Sequence, residues 1–86
     1  MNKKAFKIVC GERGFDTTFH KDGRITVRKS IKYRSFNQAV TDMAKDIRYL
    51  KALLSKDGYK PKKSKTSVNE RVYTVLTTFS DSEEEE

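Results

Sequence analysis

Lys7, His20, Arg24, Arg28 and Lys32 stand at positions that extended backbone turns to one side, with Thr18, Thr26 and Ser30 interleaved among them. Cations and short hydroxyl side chains on a solvent-facing sheet are reagents for phosphate contacts and for hydrogen bonds to base edges. A second cationic group follows at Lys56, Lys60, Lys62, Lys63 and Lys65, with Tyr33, Tyr49, Tyr59 and Tyr73 elsewhere in the chain. Lysines of this kind track a phosphate backbone without reading sequence; tyrosines can stack on unpaired bases, but a place at the core edge with the hydroxyl in water is the commoner one and the one expected here. A third feature is the run Ser80-Asp81-Ser82-Glu83-Glu84-Glu85-Glu86. An anionic end beside a cationic body competes with nucleic acid for the same surface, which makes Asp81, Glu83, Glu84, Glu85 and Glu86 the expected regulatory tail.

Other chemistries lack their residues. His20 is the only histidine and Cys10 the only thiol, and the strand pattern puts them on opposite faces, so neither a nucleophile–base pair nor a zinc site is expected. Asp42 and Asp46 share a helix face four residues apart, with Lys45 and Arg48 as their expected ion-pair partners. Gly11-Glu12-Arg13-Gly14 is read as a turn; with no helix after it, it is not a phosphate loop. The expectation is a protein that is not an enzyme and needs no metal or cofactor.

The elements that must hold the cations are read from periodicity. Phe6, Ile8 and Cys10 alternate with Lys7 and Val9, the pattern of a half-buried strand. Phe15, Thr17 and Phe19 form a second strand; Ile25, Val27 and Ile31 mark a third. A two-residue loop at Asp22-Gly23 would cross the apolar faces. A three-residue loop, Lys21 to Gly23, instead pairs Phe19 with Ile25, Thr17 with Val27, Thr18 with Thr26 and Asp16 with Arg28.

From Ser35 to Gly58 the spacing of Phe36, Val40, Met43, Ile47, Leu50 and Leu54 predicts one long helix, widened by Ala39 and Leu53. Ser35 and Gln38 read as a capping box, and Gly58 as the stop. Residues 59–67 read as a flexible Lys-rich loop, and Arg71 to Phe79 as a last strand at an edge or against another copy. The expected fold class is α+β, in the order β-β-β-α-β. It has a three- to four-stranded antiparallel sheet with one long helix packed across one face. The expected core is Phe6, Ile8, Phe15, Phe19, Ile25, Val27, Phe36, Val40, Met43, Ile47 and Leu50.

Size and charge bound the rest. The 86 residues suit a single basic domain over 1–79 followed by a disordered acidic tail over 80–86. Nineteen basic and 12 acidic groups give a net of +7; setting aside the five acids of the last six residues leaves +12 on residues 1–80. No apolar run approaches the roughly 20 residues that span a bilayer, and the run Ala5 to Cys10 is too short for an export signal. The single cysteine suits a reducing compartment or a plain buried thiol, and the expected location is the cytoplasm. The expected partner is DNA or RNA, bound by Lys7, His20, Arg24, Thr26, Arg28, Lys32, Lys60, Lys62, Lys63 and Lys65, largely through phosphates and with low sequence specificity. Arg24 and Arg28 are the residues expected to carry any base preference. The alternative is a phage or mobile-element accessory protein that binds a host protein through the last strand. No membrane partner is expected, and the protein is a monomer or a homodimer.

Overall fold

In the computed structural model, which describes residues 2–81, the elements run α1 (Lys3–Glu12), β1 (Asp16–Phe19), β2 (Ile25–Lys32), α2 (Phe36–Ser55), β3 (Lys60–Asn69) and β4 (Val72–Ser80). The fold is α+β, with four antiparallel strands in the order β1-β2-β4-β3. Phe6 and Cys10 from α1 and Met43, Leu50 and Leu54 from α2 meet Ile25, Val27, Val75 and Phe79 of the sheet in one buried cluster. Both helices therefore lie on the same side of the sheet.

The first element corrects the expected strand. Phe6 and Cys10 are four apart and share one helical face, and both are buried; Ile8, which the alternating pattern needed inside, is 58% exposed. The Asn2 side chain caps this helix by accepting from the Ala5 N–H at 3.0 Å. A short run carrying apolar residues at i, i+2 and i+4 fits either period, and Phe6 packing edge-on against Phe19 at 6.5 Å decides it.

The β1–β2 hairpin has the register expected of a three-residue loop: Asp16 opposite Arg28, Thr17 opposite Val27, Thr18 opposite Thr26 and Phe19 opposite Ile25. Gly23 takes the left-handed conformation that closes it, at φ +94°. The long helix also forms as read. Ser35 Oγ accepts from the Gln38 N–H at 3.3 Å, but the Gln38 amide donates forward to Asp42 at 2.9 Å and leaves the capping box half closed. The buried stripe is rotated from the expected one, toward Ala39, Met43, Leu50 and Leu54. Phe36 and Val40 stay exposed; Phe36 packs edge-on between Tyr33 and Tyr73, at 5.5 and 5.4 Å.

The last third departs most. The Lys-rich stretch expected as a loop is the ten-residue strand β3, and β4 is an inner strand between β2 and β3 rather than an edge. Every residue of β3 is exposed; it is an edge strand whose ladder is supplied by β4. Lysines, Pro61 and a register shift between Pro61 and Lys63 mark that edge, the usual devices against edge-to-edge aggregation. Glu70 and Arg71 form the two-residue turn joining β3 to β4, both with positive φ, +51° and +65°.

Candidate nucleic-acid interface

Strand alternation divides the sheet's side chains into two sets. Ile25, Val27, Lys29 and Ile31 of β2 face the helices, as do their β4 partners Phe79, Thr77, Val75 and Tyr73. Thr26, Arg28, Ser30 and Lys32 face the other way, beside Thr78, Leu76, Thr74 and Val72 of β4. The register of β3 adds Lys60, Lys63, Lys65, Ser67 and Asn69 to this second face. Among the described residues nothing packs on it.

The open face has a layout. Arg28 and Lys32 stand on β2, and Lys60, Lys63 and Lys65 on β3, with uncharged β4 between them. Two strand spacings separate the rows, roughly 10 Å. Hydroxyls tie the strands across the face: Thr26 shares a hydrogen bond with Thr78 at 3.1 Å and Ser30 with Thr74 at 2.7 Å. His20 joins the first pair through its Nε2, 2.7 Å from Thr26 Oγ1. Toward the β3–β4 turn the face dips into a shallow concavity of about 480 Å³, walled by Arg28, Lys32, Ser67, Asn69 and the acidic Glu70 among others.

The cations differ in how far they are already neutralised. Arg24 Nε donates to Asp22 Oδ2 at 2.8 Å, and the same carboxylate accepts from the Arg24 N–H at 3.1 Å. Those contacts, the backbone one foremost, hold the Asp22 carboxyl below its ordinary range. Arg24 is thus engaged by the carboxylate of its own turn. Arg28 meets Asp16 only at 3.8 Å, with half of its side chain exposed.

Of the expected binding residues, His20, Arg24, Thr26, Arg28, Lys32, Lys60, Lys63 and Lys65 share this face. Lys62 sits at the register shift, where alternation does not assign it a side. Lys7 is a correction: it lies on α1, in the helix layer. Only a strand at this position would place it on the sheet. The tyrosines stand on the helix side, as core-edge tyrosines commonly do. Tyr33 and Tyr73 pack with Phe36, Tyr59 packs against the core, and Tyr49 lies under the Arg13 guanidinium at 3.7 Å, all away from the open face. Sequence reasoning missed Ser67, Asn69, Thr74 and Thr78, whose place on the face follows only from the pairing of β3 with β4. Asp81 is exposed, and Glu83, Glu84, Glu85 and Glu86 lie outside the described residues.

The helix side handles charge differently. Asp46 accepts from Lys29 Nζ at 2.6 Å and from Arg13 Nη1 at 3.3 Å. The expected partners Lys45 and Arg48 are displaced because these two cations approach from β2 and from the end of α1. Cys10 is fully buried, and burial pushes its thiol pKa up, against a smaller opposing effect of the Thr17 hydroxyl. That hydroxyl has no well-aligned hydrogen bond of its own. A thiol so placed is a core side chain with little thiolate to react. Among the described residues no group of three or more His, Cys, Asp or Glu side chains could hold a metal ion, and no helix is long and apolar enough to cross a membrane. Comparison of the chain with protein-family models, with curated proteins and with solved structures finds no match among them.

Proposed function

We propose that this chain is a small, non-enzymatic, cytoplasmic nucleic-acid-binding protein that holds DNA or RNA across the open face of its sheet. The observation that carries this reading is the pair of cationic rows, Arg28 with Lys32 and Lys60 with Lys63 and Lys65, flanking an uncharged strand on a face that no other element among the described residues covers. Five cations, four of them lysine, favour phosphate contacts over base reading, since lysine acts as a point charge where arginine acts as a fork. The acidic run from Asp81 to Glu86 starts where β4 ends, beside Lys60. Five residues beyond Asp81 span at most about 18 Å, enough to reach the near end of the β3 row. The tail then weakens binding by competing for those lysines.

A salt titration tests the reading. Affinity is expected at or below about micromolar near physiological salt, falling with a log–log slope of roughly −0.9 per phosphate contacted on duplex DNA. Absence of binding in low salt, even in the chain lacking residues 81–86, would contradict it. A second reading, a phage or mobile-element accessory protein that binds a host protein, draws on a different region. Phe36 and Val68 are 43% and 52% exposed beside Tyr33 and Tyr73 on the helix side, and rings gathered at a surface suit a protein partner. β4 itself cannot add to a partner's sheet, since both its edges are taken.

A further inference from the structure

Resting on that reading, we infer that the polymer held by the open face is double-stranded. A protein that binds a single strand tracks one backbone and stacks the unpaired bases on aromatic rings. This face offers no ring. All nine aromatic side chains lie elsewhere: in or against the core beneath the sheet, around Phe36, or under Arg13. A single strand laid along the furrow over β4 would set its bases on Val72, Thr74, Leu76 and Thr78, none of which can stack.

The same surface suits two backbones. Its cations form two rows roughly 10 Å apart, two strand spacings, rather than one track. The β2 row carries Arg28 and Lys32, the β3 row Lys60, Lys63 and Lys65, and nothing on β4 between them is charged. Long side chains flaring outward from each row reach phosphates on either side of a groove. The strip between them, of hydroxyls already paired across strands and two aliphatic residues, meets the groove floor without demanding that bases leave the stack. Thr26 with Thr78 and Ser30 with Thr74 are held by each other, so little side-chain freedom remains to be lost on docking. A DNA and an RNA duplex both present two phosphate rows, and the inference concerns that shared chemistry.

The test is fluorescence anisotropy on the full chain with a labelled 16-base-pair DNA duplex, the RNA duplex of the same sequence, and each single strand, across a salt series. At least one duplex is expected to bind tenfold or more tightly than its own strands; preference on DNA, on RNA or on both sustains the inference and identifies the duplex. Two double variants then probe the rows: Arg28→Gln with Lys32→Gln, and Lys63→Gln with Lys65→Gln, their folding checked by circular dichroism. Each is expected to reduce the salt slope on duplex DNA by roughly 1.8, two phosphate contacts' worth. Single strands bound as tightly as duplexes would overturn the inference while leaving nucleic-acid binding intact, as would a slope that responds to one row only. Loss of all binding, duplex and single strand alike, would overturn the function reading itself. The wild-type comparison decides duplex against single strand even if a variant fails to fold.

Discussion

The two faces of the sheet are built from the same four strands and treat charge in opposite ways. On the covered face, Lys29 and Arg13 converge on one carboxylate, Asp46, which is itself four-fifths buried. Each cation also lies over a ring, Lys29 over Phe15 at 5.5 Å and Arg13 over Tyr49 at 3.7 Å. On the open face Arg28 meets Asp16 only at 3.8 Å, and Glu70 lines the same shallow concavity as Arg28 and Lys32 without a close ion pair to either. The contrast follows from solvation: a cation beside a core must be paired before it can be tolerated, whereas one facing water stands unpaired at little cost. Charge left unpaired on one face is then available to a ligand.

Substitutions can break or sharpen that contrast. The largest effect is expected where the faces differ in packing. Leu50→Ala removes a fully buried side chain and should cost about 2–5 kcal/mol. Leu76→Ala, on the open face, is expected to cost less, about 1 kcal/mol, because its partly buried side chain already keeps some contact with water. Urea denaturation compares the two directly, and equal losses would mean that the face called open is covered. Next comes Asp46→Ala, which leaves Lys29 and Arg13 without their shared partner. It should cost about 1–3 kcal/mol, less than a fully buried pair because Arg13 keeps substantial exposure. Reversing Asp16, the open-face counterpart, should change stability by no more than about 0.5 kcal/mol. The smallest effect is a gain. Replacing Glu70-Arg71 by Asn-Gly suits the positive φ angles of that turn and should raise stability by about 1 kcal/mol. Thermal denaturation reads it.

The same solvation logic explains which parts were legible in the sequence. The β1–β2 hairpin and α2 each bury one face, so burial writes a period into the chain; the Phe19–Ile25 register and the Ser35 cap could be read from residue types alone. The α1 helix is too short to separate its period from a strand's, since Phe6, Ile8 and Cys10 satisfy both until the exposure of Ile8 is known. β3 buries nothing on either side, so Lys60 to Asn69 carry no apolar pattern at all. What makes them a strand is a free ladder on β4 and a turn built from Glu70 and Arg71, a pair with none of the usual Asn or Gly signal. Most of the β2 half of the candidate interface was therefore visible in the spacing of Arg28 and Lys32. The β3 half was visible only as composition. Its lysines stand out in the composition, but the alignment of Lys65 with Arg28 across Leu76 depends on a long-range pairing that local sequence does not encode.

The central claim is that the sheet's open face, rather than positive charge in general, binds nucleic acid. Lysines and arginines are also exposed on the helices, at Lys7, Lys45, Arg48 and Lys51, which allows a matched control. The most direct measurement is duplex binding by two charge-reversed variants of equal net charge, one carrying Arg28→Glu and Lys65→Glu, the other Lys45→Glu and Lys51→Glu. The account predicts that the open-face variant loses at least tenfold more affinity than the helix variant at the same salt concentration. Equal losses from the two would contradict it.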